Sequence, residues 1–128
     1  MTDRPSPWPR RRFLAAAGAG IAAAVLPGAW TSPAAAGALL RDAFADPQAA
    51  ARIGRAYLAD RPADEALGGF LDRLARRVRD AAPLDPPAVR AWLGAEVRAD
   101  FAAGRLVLVD GWLLAPSEAA AMALVALS

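Results

Sequence analysis

The clearest pattern lies in residues 63–79 (ADEALGGFLDRLARRVR), where Leu67, Phe70, Leu71, Leu74 and Val78 recur at steps of three and four. A helix turns once every 3.6 residues, so these five share one stripe and predict an amphipathic helix. Asp64 and Glu65 in its first turn and Arg76, Arg77 and Arg79 in its last match the helix dipole. Asp46-Pro47 and Asp85-Pro86 mark two more helix starts: the aspartate accepts an orphan amide, and proline at the first helical position gives up a donor that has no partner there. The first of these helices should run from Pro47 to about Ala59 with Ile53 and Tyr57 inward. The second should run from Pro86 to about Ala103 with Val89, Trp92, Leu93, Val97 and Phe101 inward. Gly54 costs about 1 kcal/mol inside a helix relative to alanine, and its presence predicts close helix packing. Leu39, Leu40 and Phe44 add a turn or two of helix near residues 37–45.

Beyond Gly104, a natural residue just past a helix end, the helical period stops. Arg105–Val109 is apolar and partly β-branched, Asp110-Gly111 is a strong hairpin signal, and Trp112–Leu114 returns. A two-stranded hairpin is marginal alone, so it must lie on the helices, with its edges open to a further strand. Pro116 and Glu118 suit the first and third positions of a last helix over residues 115–128. This tail, GRLVLVDGWLLAPSEAAAMALVAL, is unusually apolar. It either closes the core or forms a docking surface centred on Trp112, a residue type favoured as an interface anchor. The fold expected is mainly α: three to four helices with one short β-hairpin near the C-terminus, preceded by a signal-peptide helix.

That leading helix is read from residues 1–36. Arg4, Arg10, Arg11 and Arg12 stand against a single carboxylate, Asp3, and Phe13–Leu26 carries no charge. Pro27-Gly28 breaks the run, and Ser32-Pro33-Ala34-Ala35-Ala36 supplies small residues at Ala34 and Ala36 that suit a signal peptidase, with Gly37 as the expected new terminus. At about 1.5 Å per residue the apolar core covers roughly 21 Å, short of the ~30 Å of a bilayer, which disfavours a stable membrane anchor. The division expected is therefore an export segment over 1–36 and a small helical domain over 37–128.

The basic motif resembles the twin-arginine (Tat) signal of bacteria, S/T-R-R-x-F-L-K. Arg10 and Arg11 fall on the paired arginines, Arg12 on x, and Phe13-Leu14 on the apolar pair, while Pro9 and Ala15 depart from the outer positions. The Ala- and Gly-rich core (AAAGAGIAAA) is similar to such signals too. The resemblance covers about 36 residues and implies recognition by the Tat translocase, export in a folded state, and a periplasmic or secreted destination.

Composition then changes the picture. Fifteen basic residues outnumber thirteen acidic ones overall. Residues 37–128 hold eleven arginines against twelve carboxylates. The apparent basicity belongs to the export segment, and nothing remains for a nucleic-acid footprint. The same span has no His, Cys or Lys, and its hydroxyls are Tyr57, Ser117 and Ser128. A serine nucleophile would lack a base, a Schiff base its lysine, and an ordinary zinc or haem site its ligands. Glu96 and Asp100, four apart on a helix, could meet one ion, but without a third ligand nearby they should instead pair with an arginine such as Arg98 or Arg105 or face water. No catalytic, cofactor-binding or metal-binding residue is expected.

These observations favour a non-catalytic accessory or escort subunit of an exported oxidoreductase. The Tat route serves cargo that folds before crossing, commonly around a cofactor, and a domain unable to hold one points to a signal-less companion. A Tat signal with a small helical body is similar in layout to the small subunits of bacterial FAD-dependent sugar and alcohol dehydrogenases. The tail pattern DFAAGR and VDGW also resembles small Tat-signal proteins. Neither resemblance implies site residues. The alternative is a stand-alone periplasmic binding or structural module, and a third reading is an enzyme using Asp, Glu or Tyr57.

Overall fold

Proline opens four of the five α-helices found among the described residues. The computed structural model describes residues 32–80 and 84–128. In order these contain α1 (Pro33–Leu40), a 3-10 turn (Arg41–Ala43), α2 (Pro47–Ala59), α3 (Ala63–Asp80), α4 (Pro86–Ala102), β1 (Val107–Val109), β2 (Trp112–Leu114) and α5 (Pro116–Leu127). The Asp-Pro starts form as their chemistry requires. Asp46 Oδ1 accepts the Ala49 amide at 3.0 Å, and Asp85 Oδ1 accepts that of Ala88 at 2.9 Å. Ser32-Pro33 does the same for α1, with Ser32 Oγ accepting from the Ala35 amide at 3.3 Å. The expected architecture, mainly helical with one hairpin near the C-terminus, holds. The helices number five rather than three to four because residues 33–40 form a capped helix of their own. The boundary expected between Ala36 and Gly37 falls inside that helix.

The core is organised around α5. Eight of its residues, from Ser117 through Val125 with Glu118 excepted, are buried, and it meets α1, α2, α3, α4 and β1. An apolar helix that is buried on all sides belongs at the centre of a bundle rather than on its surface. Five alanines (Ala119, Ala120, Ala121, Ala123 and Ala126) keep it thin enough for neighbours to close on it. Two of those neighbours approach through glycine. A Cβ built on Gly54 of α2 would stand 2.1 Å from the Met122 carbonyl oxygen, and one on Gly37 of α1 would stand 2.0 Å from that of Leu124. The close packing expected of Gly54 is thus realised against the backbone of α5.

The stripe on α3 turns inward, burying Leu67, Phe70, Leu74 and Val78, while Leu71 at its margin is only partly covered. Phe70 meets Trp92 of α4 with ring centroids 5.4 Å apart and planes tilted by 55°, a favoured aromatic geometry. On α2 the buried line is Ala50, Gly54 and Tyr57, and Ile53 is only partly covered, because the helix turns its glycine to α5. On α4, Val89 and Leu93 are buried and Trp92 and Val97 partly so, but Phe101 is half exposed and Asp100 takes the inward place.

The hairpin is antiparallel, pairing Val107 with Leu114, Leu108 with Leu113 and Val109 with Trp112. Its turn residues have positive φ, 50° at Asp110 and 84° at Gly111, as a tight hairpin matching strand twist demands. β1 rests on α2 and α5. Alternation then sends Val109 and Leu114 into the core and Leu108 and Leu113 outward.

Candidate functional site

A polar constellation joining three helices lies where α4 ends and α5 begins. α4 closes with the Gly104 amide donating to the Phe101 carbonyl at 3.0 Å and the Arg105 amide to the Asp100 carbonyl at 2.9 Å, while Gly104 adopts φ 75°. This six-to-one and five-to-two pair of bonds satisfies the last carbonyls and folds the chain back on itself. Arg105 thereby returns to Asp100, donating from Nε to Oδ1 at 2.9 Å. The other carboxylate oxygen accepts the backbone amide of Ser117 at 2.8 Å. Ala115 precedes α5 and has no polar side chain to cap it, so Asp100, seventeen residues before Ser117, serves as the cap.

Around this bond a shallow cleft is lined by Arg73, Glu96, Ala99, Asp100, Arg105 and Pro116. Arg73 of α3 spans its edge, donating from Nε to Glu96 Oε1 at 2.6 Å and from Nη2 to Ser117 Oγ at 3.2 Å. Burial pushes the Asp100 carboxyl up. The Ser117 backbone amide, the Ser117 hydroxyl and Arg105 more than reverse that, holding it below the ordinary carboxylate range. Two arginines and two carboxylates face each other, so the cleft offers no excess charge to a ligand. Its polar atoms join α3, α4 and α5. The expected pairing of Asp100 with Arg105 is found, whereas Glu96 pairs with Arg73 across 23 residues of sequence.

Tyr57 is buried in the core, and the Arg61 guanidinium lies 4.3 Å above its ring. Burial raises the phenol above its ordinary value, Arg61 partly opposing and Glu65 adding to the rise. Ser117 is held in the cleft network, and Ser128 accepts from Arg41 Nη2 at 2.6 Å. Among the described residues no group of three or more His, Cys, Asp and Glu is placed to hold a metal ion, and no helix is long and apolar enough to cross a membrane.

The second feature is apolar. Leu108, Trp112 and Leu113 are 65%, 59% and 58% exposed, and Leu106 and Phe101 beside them are about half exposed. Within the apolar tail, α5 is buried in the core and the hairpin leaves Leu108 and Leu113 of its outer face exposed. Trp112 stands on the same side of the strand as buried Leu114 but next to the turn, where it is exposed.

Ala34 and Ala36 lie in the first turns of α1, with Ala36 wholly buried. Arg10, Arg11, Phe13 and Leu14 lie outside the described residues. The fold and these two features define a small helical domain wound on a buried C-terminal helix, with a neutral polar clasp and an apolar hairpin. No family model matches the chain, nor does any curated protein or solved structure.

Proposed function

We propose that the chain is a non-catalytic accessory subunit, exported by the Tat route, that escorts a larger oxidoreductase subunit lacking its own signal. The Arg10-Arg11-x-Phe-Leu resemblance supplies the route. The observation that carries the escort role is the hairpin, where Leu108, Trp112 and Leu113 are the three most exposed large apolar side chains among the described residues. Exposed leucine and tryptophan on a strand pair favour association, and tryptophan is a common anchor at an interface centre. The carboxylates of the cleft, Glu96 and Asp100, are engaged by Arg73, Arg105 and the Ser117 amide.

The test is recovery of the exported protein from its native host. A flavin- or molybdenum-containing subunit should co-purify with it in fixed ratio, and the double substitution Leu108→Asp with Leu113→Asp should release that subunit. Both side chains point away from the core, so the thermal transition of the variant should stay within a few degrees of the wild type. Recovery of a cofactor-free monomer would instead favour a stand-alone periplasmic binding or structural module. Substrate turnover by the isolated domain would overturn both.

A further inference from the structure

We infer that Ser32–Ala36 is a working part of the folded domain and remains attached to it, so that the bond between Ala36 and Gly37 is closed to a signal peptidase. Any removal of the export segment then occurs on the N-terminal side of Ser32. The processing half of this inference rests on the export reading above; the structural half does not.

Residues 32–40 do two incompatible things in sequence terms. Ser32-Pro33-Ala34-Ala35-Ala36 has the small residues a peptidase selects, and it also has the side-chain cap and first-position proline of a helix start. The structure takes the second course. Ser32 is itself buried, its Oγ accepts the Ala35 amide, and its carbonyl accepts the Ala36 amide at 3.1 Å. Ala36 and Leu40 are fully buried, and Gly37 lies against the Leu124 carbonyl with no room for a Cβ. The far end of α1 is fastened as well, since Arg41 donates to Ser128 Oγ, and that hydroxyl donates to the Val125 carbonyl at 2.7 Å.

Cleavage requires the cut segment to leave its structure and extend. Here that means withdrawing Ala36 and Leu40 from the core and breaking the α1 cap. The product would keep only Gly37–Leu40 of this helix, too short to stay helical alone. It would also place a charged amine at the buried position of Gly37. A chain that folds before it crosses would present the site to the peptidase already closed.

Two measurements on the full chain decide the matter. Intact mass of the protein recovered after export should give an N-terminus at Ser32 or upstream of it, uncut chain included; an N-terminus at Gly37 would overturn the inference while leaving the export reading in place. Hydrogen exchange of the purified full chain should show the amides of Ala36–Leu40 slowed on the order of 100-fold or more relative to free chain, in step with the centre of α5. Exchange at free-chain rates there would overturn it. A chain found only in the cytoplasm would sink the export reading, and the exchange result would still decide whether α1 is part of the domain.

Discussion

Gly54→Ala is expected to be, with Gly37→Ala, one of the two most damaging single methyls among the described glycines. Alanine is the better helix former by about 1 kcal/mol, so on propensity alone the change should stabilise α2. The added Cβ would stand 2.1 Å from the Met122 carbonyl oxygen and 2.4 Å from its carbon, and backbone in the middle of a helix cannot step aside as a side chain can. α2 must move away from α5, opening the contact on which the core is organised. Overpacking of this kind costs about 3 kcal/mol or slightly more. For a domain of this size that lowers the thermal midpoint by roughly 12–24 °C. Gly68→Ala is the internal control, because nothing lies within 4 Å of its added Cβ. It should hold or raise the midpoint. If Gly54→Ala and Gly68→Ala melt alike, the packing of α2 on α5 described above is wrong.

Asp100→Ala comes next. It removes a carboxylate that is 4% exposed and orphans the Ser117 amide at the start of α5. Leaving a buried donor unpaired and losing a charged cap together cost about 2–3 kcal/mol. The Arg105 contact adds little, because its side chain is more than half exposed and screened by water. Asp100→Asn should fall between, since its amide oxygen can still accept. The effect should also carry a pH signature. The carboxyl is held below its ordinary value in the folded protein, so its stabilisation is complete above the unfolded value of about 3.9 and is lost as pH falls through the lower folded value. Chemical denaturation of wild type and Asp100→Ala should therefore differ by a constant amount near neutrality, and the gap should narrow as pH falls below about 4. A gap that persists unchanged to pH 2 would show that the charge is not what Asp100 contributes.

How much of this could be read from the chain alone depends on the range of each interaction. The α3 stripe, the Asp-Pro starts at Asp46 and Asp85, the Gly104 stop and the Asp110-Gly111 turn are local, and each is found where its pattern predicts. Ser32-Pro33 is equally local but carries two meanings, and the packing of α1 on Leu124 and Ser128, made through Gly37 and Arg41, depends on residues distant in sequence. Asp100 could not be placed by periodicity. Its value to the fold comes from an uncapped helix start at Ala115, and it is buried where Phe101, the next residue, is half exposed. A bare alanine before Pro116 was the one available hint that a cap must come from elsewhere. The pairing of Arg73 with Glu96 likewise depends on α3 and α4 lying side by side. The apolar tail shows the same limit: hydropathy alone cannot separate a helix that fills a core from a strand pair left in solvent.

Export as a folded escort is tested most directly by replacing Arg10 and Arg11 together with lysine in the native host, then locating both this chain and the subunit that co-purifies with it. Lysine keeps the charge of the leader and removes the paired guanidinium groups, which are the specific element of the Tat resemblance. Both polypeptides should then remain in the cytoplasm, folded and associated. Arrival of the lysine variant in the periplasm, or export of the larger subunit without it, would contradict the proposal.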